Sequence, residues 1–300
     1  MKGLGGLYET RAEIDGEVVT LTSFAKGNLK RDEEKLAIGD NVILELDDTT
    51  PDSIIIAEIG RRKNILIRPP IANLDYLFIV FAAKKPTPVL ETVDKLTSIA
   101  IHNSIIPVIV ITKSDLSDKI ARELADIYER VGIDTFITSS ETGEGTAPLG
   151  EYIRENVKDG RTAAFAGASG VGKSTLMNAL FPSLTLATGD ISHKIERGKH
   201  TTRHVELFSL EGGGFLADTP GFSLIDFARF DFFALDDLLP TFPELLAYVG
   251  ECRYADCAHV GESAEDCAVA RAERDGKIPE TRLASYRSIY KVLKEKKSYE

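Results

Sequence analysis

The stretch Ala163-Ala164-Phe165-Ala166-Gly167-Ala168-Ser169-Gly170-Val171-Gly172-Lys173-Ser174 decides the fold class. A short apolar run ends in glycines and then opens a helical pattern over 175–181, the strand–loop–helix context of the P-loop signature G-x-x-x-x-G-K-[ST]. Glycines let backbone N–H groups face phosphate oxygens, and the N-terminus of the following helix adds a favourable field. Gly167, Ala168, Ser169, Gly170, Val171, Gly172, Lys173, Ser174 and Thr175 are therefore candidate nucleotide-binding residues. Lys173 is expected to neutralise the β- and γ-phosphates, and the Ser174 hydroxyl to ligate Mg²⁺.

A P-loop does not choose its base. Thr112-Lys113-Ser114-Asp115, at the end of the apolar run 107–111, supplies that choice. The Asp115 carboxylate can accept both the N1 and N2 hydrogens of guanine, a pair that adenine does not present, while the Lys113 stem packs along the base. Ser139-Ser140-Glu141, after the next strand pattern at 136–138, fits a loop that supports the base through backbone amides. In ordinary GTPases the phosphate loop comes first. Here the guanine loop precedes it by about fifty residues, so the pattern predicts a circularly permuted GTPase domain.

Downstream, Asp218-Thr219-Pro220-Gly221 follows the apolar run Phe215-Leu216-Ala217. Asp218 is expected to hold Mg²⁺ through water, and the Gly221 amide to sense the γ-phosphate. Between the two lies Gly198-Lys199-His200-Thr201-Thr202-Arg203, in which Thr202, with Thr201 as the alternative, would bind Mg²⁺ and γ-phosphate together. Many GTPases place a water-orienting glutamine after the last glycine. The residue here is Phe222, which predicts slow hydrolysis until a partner organises the site, with His200 as a candidate to position water. Lys173, His200, Thr202 and Gly221 form the candidate catalytic set.

All three cysteines of the chain fall within 252–267. Cys252, Cys257, His259 and Cys267 read C-x4-C-x-H-x7-C, and three thiolates with one imidazole satisfy tetrahedral Zn²⁺ without an open position, as a structural site does. Zinc would help fold a small helical region with little core of its own.

The composition is that of an ordinary soluble protein, 28 % charged and 43 % hydrophobic. No apolar run approaches the ~20 residues that span a bilayer, and the N-terminus does not read as a signal peptide, so a cytoplasmic protein without membrane contact is expected, as a monomer. A net charge of −11 excludes a protein coated in positive charge but leaves room for a local basic face. Residues 1–71 show short strand patterns at 7–10, 17–21, 41–46 and 53–59 broken by Asp15-Gly16 and Gly39-Asp40, which suits a small OB-type barrel. The loop Lys26 to Lys30 and the patch Arg61-Arg62-Lys63 add weak support for RNA binding there. Residues 72–231 alternate strands and helices, among them a helix with Leu90, Val93, Leu96 and Ala100 on one face and another, capped by Ser117, with a stripe of Ile120, Leu124, Ile127 and Val131. Residues 232–300 are mostly helical, ending in a helix over about 279–297 whose Arg282, Arg287, Lys291, Lys294, Lys296 and Lys297 read as a solvated face or a nucleic-acid contact.

Together with Arg68-Pro69-Pro70-Ile71-Ala72-Asn73-Leu74-Asp75, Arg197-Gly198-Lys199-His200-Thr201-Thr202 and Asp218-Thr219-Pro220-Gly221-Phe222, these motifs make the whole chain resemble the bacterial ribosome small subunit-dependent GTPase A (RsgA/YjeQ) family. Lys199 stands where that family tends to carry arginine. The resemblance implies an N-terminal OB-fold, a circularly permuted P-loop GTPase domain and a C-terminal helical zinc domain. It implies GTP and GDP as ligands, the 30S subunit and its 16S rRNA as partners, activity in late subunit maturation, and hydrolysis stimulated by the subunit.

Overall fold

The computed structural model describes residues 3–4, 7–15, 17–26, 36–47, 50, 53–67, 69–182, 206–218, 227 and 229–297. Along the chain the strands are β1 (Gly3–Leu4), β2 (Leu7–Ile14), β3 (Glu17–Ala25), β4 (Val42–Leu46), β5 (Ile54–Ile59), β6 (Ile65–Ile67), β7 (Pro70–Ala72), β8 (Tyr76–Ala82), β9 (Ile106–Thr112), β10 (Thr135–Ile137), β11 (Thr162–Ala166), β12 (Glu206–Ser209) and β13 (Phe215–Asp218). The helices are α1 (Leu90–His102), α2 (Asp118–Glu129), α3 (Thr146–Asn156), α4 (Lys173–Leu180), α5 (Pro243–Leu246), α6 (Ala268–Arg274) and α7 (Glu280–Lys297). They fall in two compact units, one of Met1–Tyr76, Tyr152–Phe165 and Glu196–Phe222, the other of Leu77–Glu151, Ala166–Ile195 and Ser223–Glu300.

In the first unit, β1 to β5 pair in the order β1-β2-β3-β5-β4. β2 and β3 form a long antiparallel hairpin, from Leu7 opposite Phe24 to Ile14 opposite Glu17, turning through Asp15 at φ 54°. β3 then runs parallel to β5, and β4 pairs antiparallel with β5. This is the connectivity of a five-stranded, partly open barrel. Among the described residues no ladder joins β4 to β1 or β2, so the sheet is a half-barrel. The basic patch expected at 61–63 is largely neutralised: Arg62 pairs with Asp40 at 2.6 Å and Lys63 with Asp75 at 2.6 Å. Of the loop Lys26 to Lys30, only Lys26 is described.

The α/β strands follow the order β10-β9-β8-β11-β13-β12. β10 runs parallel to β9 and β11 parallel to β13, whereas β12 returns antiparallel on β13. Every residue of β8 and of β11 is buried, which is why both read as unbroken apolar runs and not as alternating ones. α2 begins where expected, the Ser117 hydroxyl accepting from the Ile120 N–H at 3.4 Å. Its buried line is Ala121, Leu124, Ala125 and Tyr128. That line lies one position away from the expected stripe: Ile120, Ile127 and Val131 are only half-buried, because the small alanines let this face approach the sheet. α1 buries Val93, Leu96 and Ala100 as expected, and also Asp94, Thr97 and Ser98.

Those polar residues explain the main departure from the sequence reading. Arg282, expected on an exposed basic face of α7, is fully buried. Its guanidinium donates to Asp94 at 2.7 Å, Glu244 at 2.7 Å and Thr97 at 3.1 Å, and lies 4.5 Å from the centre of the Phe242 ring. Lys291 and Lys294 keep the exposure that was expected. No described helix is long and apolar enough to cross a membrane.

Candidate nucleotide and metal sites

The end of β11 runs into Gly167, where a Cβ atom would stand 2.2 Å from the Val80 carbonyl oxygen. Only glycine passes that close to the neighbouring strand. Gly172, at φ 95°, then turns the chain into α4 in a backbone conformation that side chains with a Cβ avoid. Ala168, Ser169 and Gly170 are exposed, Val171 is buried, and Lys173 and Ser174 occupy the first turn of α4 half-buried, with Thr175 exposed beside them. The start of α4 thus follows directly on the loop, and a helix N-terminus is a setting that attracts phosphate.

The guanine-loop candidates lie against this loop. Thr112 ends β9, and its hydroxyl donates to the Val171 carbonyl in a short hydrogen bond, with the Phe81 carbonyl also in range at 3.2 Å. Lys113, in the left-handed region at φ 57°, sends its ammonium to the carbonyls of Gly170 at 2.7 Å and Lys85 at 2.6 Å. Thr112 and Lys113 therefore tie the segment after β9 to the phosphate loop, although 57 or more residues separate them in sequence. Asp115 is exposed and accepts from the Ser139 hydroxyl at 2.6 Å, which orients its carboxylate. Ser114 is buried, its N–H donating to the Thr138 carbonyl at 3.2 Å and its hydroxyl reaching Glu144 at 3.3 Å. Ser140 follows, half-buried. Lys85 and Glu144 were missed by the sequence reading. Lys85 participates through its carbonyl, which carries no sequence signal, and Glu144 belongs to a polar loop with no distinguishing pattern.

Asp218 is the last residue of β13, opposite Glu206. Its side chain, together with Arg197 to Thr202, Gly221 and Phe222, lies outside the described residues. The candidate roles of His200, Thr201, Thr202 and Gly221 concern that part of the chain.

In the C-terminal region Cys252, Cys257, His259 and Cys267 converge, their ligand atoms all within 4.8 Å of one another. His259 Nδ1 lies 3.6 Å from Cys252 Sγ and 3.4 Å from the sulfurs of Cys257 and Cys267, and the Cys252 and Cys267 sulfurs are 4.0 Å apart. A tetrahedral ion with metal–sulfur bonds of about 2.3 Å and a metal–nitrogen bond of about 2.0 Å spaces N and S by about 3.5 Å and two sulfurs by about 3.8 Å. The four side chains fit such an ion. Backbone N–H groups point at the sulfurs, Ala268 at Cys252 at 3.3 Å and Ala270 at Cys267 at 3.4 Å, and Cys267 caps α6. Burial pushes the Cys257 thiol up to about 12 and raises that of Cys267, while it lowers the His259 imidazole. A neutral imidazole is ready to ligate, and the thiols need a cation to drive off their protons.

The RsgA GTPase family model matches residues 59–228, more than half of the chain. The chain is 40 % identical over 302 residues to the small ribosomal subunit biogenesis GTPase RsgA of Geobacillus kaustophilus, covering 99 % of this chain and 97 % of that protein. Among solved structures it resembles YloQ, described as a circularly permuted GTPase, at a TM-score of 0.75 and 30 % identity over 98 % of this chain and 93 % of that one. YjeQ from Thermotoga maritima matches at a TM-score of 0.74 and 31 % identity, covering 96 % and 95 %. Reversed motif order, joined loops and full-length likeness agree: the chain belongs to the RsgA GTPase family and is a GTP-hydrolysing enzyme.

Proposed function

We propose that this enzyme acts in the late maturation of the 30S ribosomal subunit, binds 16S rRNA in doing so, and hydrolyses GTP fast only when the subunit organises its site. The observation that carries the reading is the coverage: 99 % of the chain aligns with a relative named for small ribosomal subunit biogenesis. A likeness confined to the GTPase motifs would carry nothing about the partner. The three parts are residues 1–71 as an OB-type rRNA-binding domain, 72–231 as the permuted GTPase domain and 232–300 as the zinc domain. The protein works as a cytoplasmic monomer.

Gly167 to Thr175 bind the phosphates, Thr112 to Asp115 select guanine, and Ser139 and Ser140 support the base. Lys173 offsets charge that develops on the phosphates as water attacks the γ-phosphorus and the bond to the bridging oxygen breaks, leaving GDP and phosphate. Ser174, Thr202 and Asp218 hold Mg²⁺, which supplies further charge neutralisation. His200 positions the water and the Gly221 amide reads the γ-phosphate. Zinc on Cys252, Cys257, His259 and Cys267 is structural, since four protein ligands leave no open position.

GTP hydrolysis by the purified protein, alone and with isolated 30S or 50S subunits, tests the reading. Stimulation by 30S alone is the expected result. Equal rates with and without 30S, while GTP is still bound, would overturn the subunit-triggered mechanism.

A further inference from the structure

Helix α7 touches three separate parts of the second unit with one face. Arg282, Tyr286, Ile289, Leu293 and Lys296 follow at intervals of four, three, four and three residues, and the first four are buried. This spacing places all five on a single stripe. Near its start, Arg282 joins α7 to α1 through Asp94 and Thr97. One turn on, α7 reaches the metal-ligand loop: the Tyr286 hydroxyl donates to the Ala258 carbonyl at 3.1 Å and Arg287 Nε to the His259 carbonyl at 3.2 Å. His259 is held at φ 61°, so the carbonyl of a ligand residue in a rare backbone conformation is fastened to the helix. Further along, α7 packs on the helical turn Leu235–Asp237, and Lys296 pairs with Asp231.

The segment reached at that far end is the one that follows the Asp218–Gly221 stretch. It is anchored by its aromatic residues: buried Phe227 meets Phe232 and Phe233 with ring centres 5.1 Å apart, and Phe233 packs on His102 of α1 at 5.0 Å. Ten residues of helix separate Tyr286 from Lys296, about 15 Å at 1.5 Å per residue. A helix interior bonded at every turn does not absorb a displacement over that length.

We propose that α7 is a strut that couples occupancy of the Cys252–Cys257–His259–Cys267 metal site to the order of residues 229–238, the chain leaving the nucleotide-sensing stretch. The proposal rests on the zinc reading above. It makes Tyr286 and Arg287 positioning residues that act through two backbone carbonyls.

The test is hydrogen exchange on the full-length protein, zinc-loaded and after chelation, with zinc content measured in parallel. The reporters are the amides of Asp237 and Leu238, each bonded to a carbonyl within its own turn. In the native sequence chelation is expected to speed their exchange about tenfold, the loss of one or two net hydrogen bonds of local stability. The double variant Tyr286→Phe, Arg287→Ala keeps the apolar face of α7 and every metal ligand. There, chelation should still release zinc and loosen 252–267, while the reporters no longer respond.

Zinc loss that loosens 252–267 in the native sequence without touching the reporters would overturn the strut and leave the zinc site standing. An unchanged response in the double variant would overturn it as well. So would equal acceleration in β9, because the effect would then be general unfolding. A protein that carries no zinc and shows no change on chelation would overturn the zinc reading and the strut together.

Discussion

Replacing Arg282 with methionine separates a buried ionic hub from an exposed basic residue. The side chains of Arg282 and Asp94 are 0 % exposed and that of Glu244 is 8 % exposed. The guanidinium makes three side-chain hydrogen bonds and covers the Phe242 ring. Methionine fills much of the volume but leaves two carboxylates without their cation. Removing one partner of a buried pair costs about 3–5 kcal/mol, which is a large part of the ~5–15 kcal/mol that holds a typical domain folded. Arg253→Ala is the control: its side chain is 69 % exposed opposite Asp266, and such pairs contribute about 0–1 kcal/mol. Urea unfolding followed by far-UV circular dichroism, at several pH values, reads both variants.

The pH dependence has a definite sign. Burial raises the Asp94 carboxyl above its ordinary value, and Arg282 opposes that rise. A carboxyl that holds its proton more tightly when folded contributes stability below its unfolded pKa and loses it as pH rises through the folded one. Arg282→Met removes the opposing charge and moves the folded value higher still. The defect should therefore grow as pH rises out of the ordinary carboxylate range, as it does on losing any cation beside a carboxylate, but over a range displaced upward by the burial of Asp94. Replacing Asp94 and Glu244 with leucine in the same variant should recover part of the loss. A defect of Arg282→Met below about 1 kcal/mol at neutral pH, no larger than an exposed pair gives, would refute the reasoning.

Three further outcomes are expected. Asp115→Asn should weaken GTP binding by about two orders of magnitude, since two charge-assisted hydrogen bonds to guanine are lost, and should relatively favour xanthosine triphosphate; competition titrations with both nucleotides read this, and unchanged selectivity would contradict the base-reading role. Gly167→Ala places a methyl group 2.2 Å from the Val80 carbonyl oxygen, so nucleotide affinity should fall at least about tenfold with the far-UV spectrum retained; binding at native strength would show that the loop gives way more easily than its packing implies. Cys267→Ser should lose close to one equivalent of zinc by elemental analysis and lower the unfolding temperature of the C-terminal region, whereas full zinc retention would remove Cys267 from the ligand set.

The contrast between two parts of α7 shows how far sequence carries. The helix over about 279–297 was legible from its pattern and runs from Glu280 to Lys297. The environment of Arg282 was not, because a cation on a charged helix looks the same whether it faces water or a carboxylate 188 residues away. Likewise Ser117 announced the start of α2 through a bond within its own turn, but the buried line of that helix depended on which face met the sheet.

The same distinction runs through the functional sites. By itself the sequence picked out the candidate phosphate loop, the candidate guanine-reading Asp115 and the four metal-ligand candidates, because these chemistries demand fixed residue types at short spacings. Tertiary structure alone decided that Thr112 and Lys113 clasp Gly170 and Val171, that Arg62 and Lys63 are paired with carboxylates, and that the His259 carbonyl hangs from α7. Each of these joins residues far apart in the chain, or a side chain to an anonymous carbonyl. Such contacts form when hydrophobic burial brings elements together, and no local pattern of residues records them.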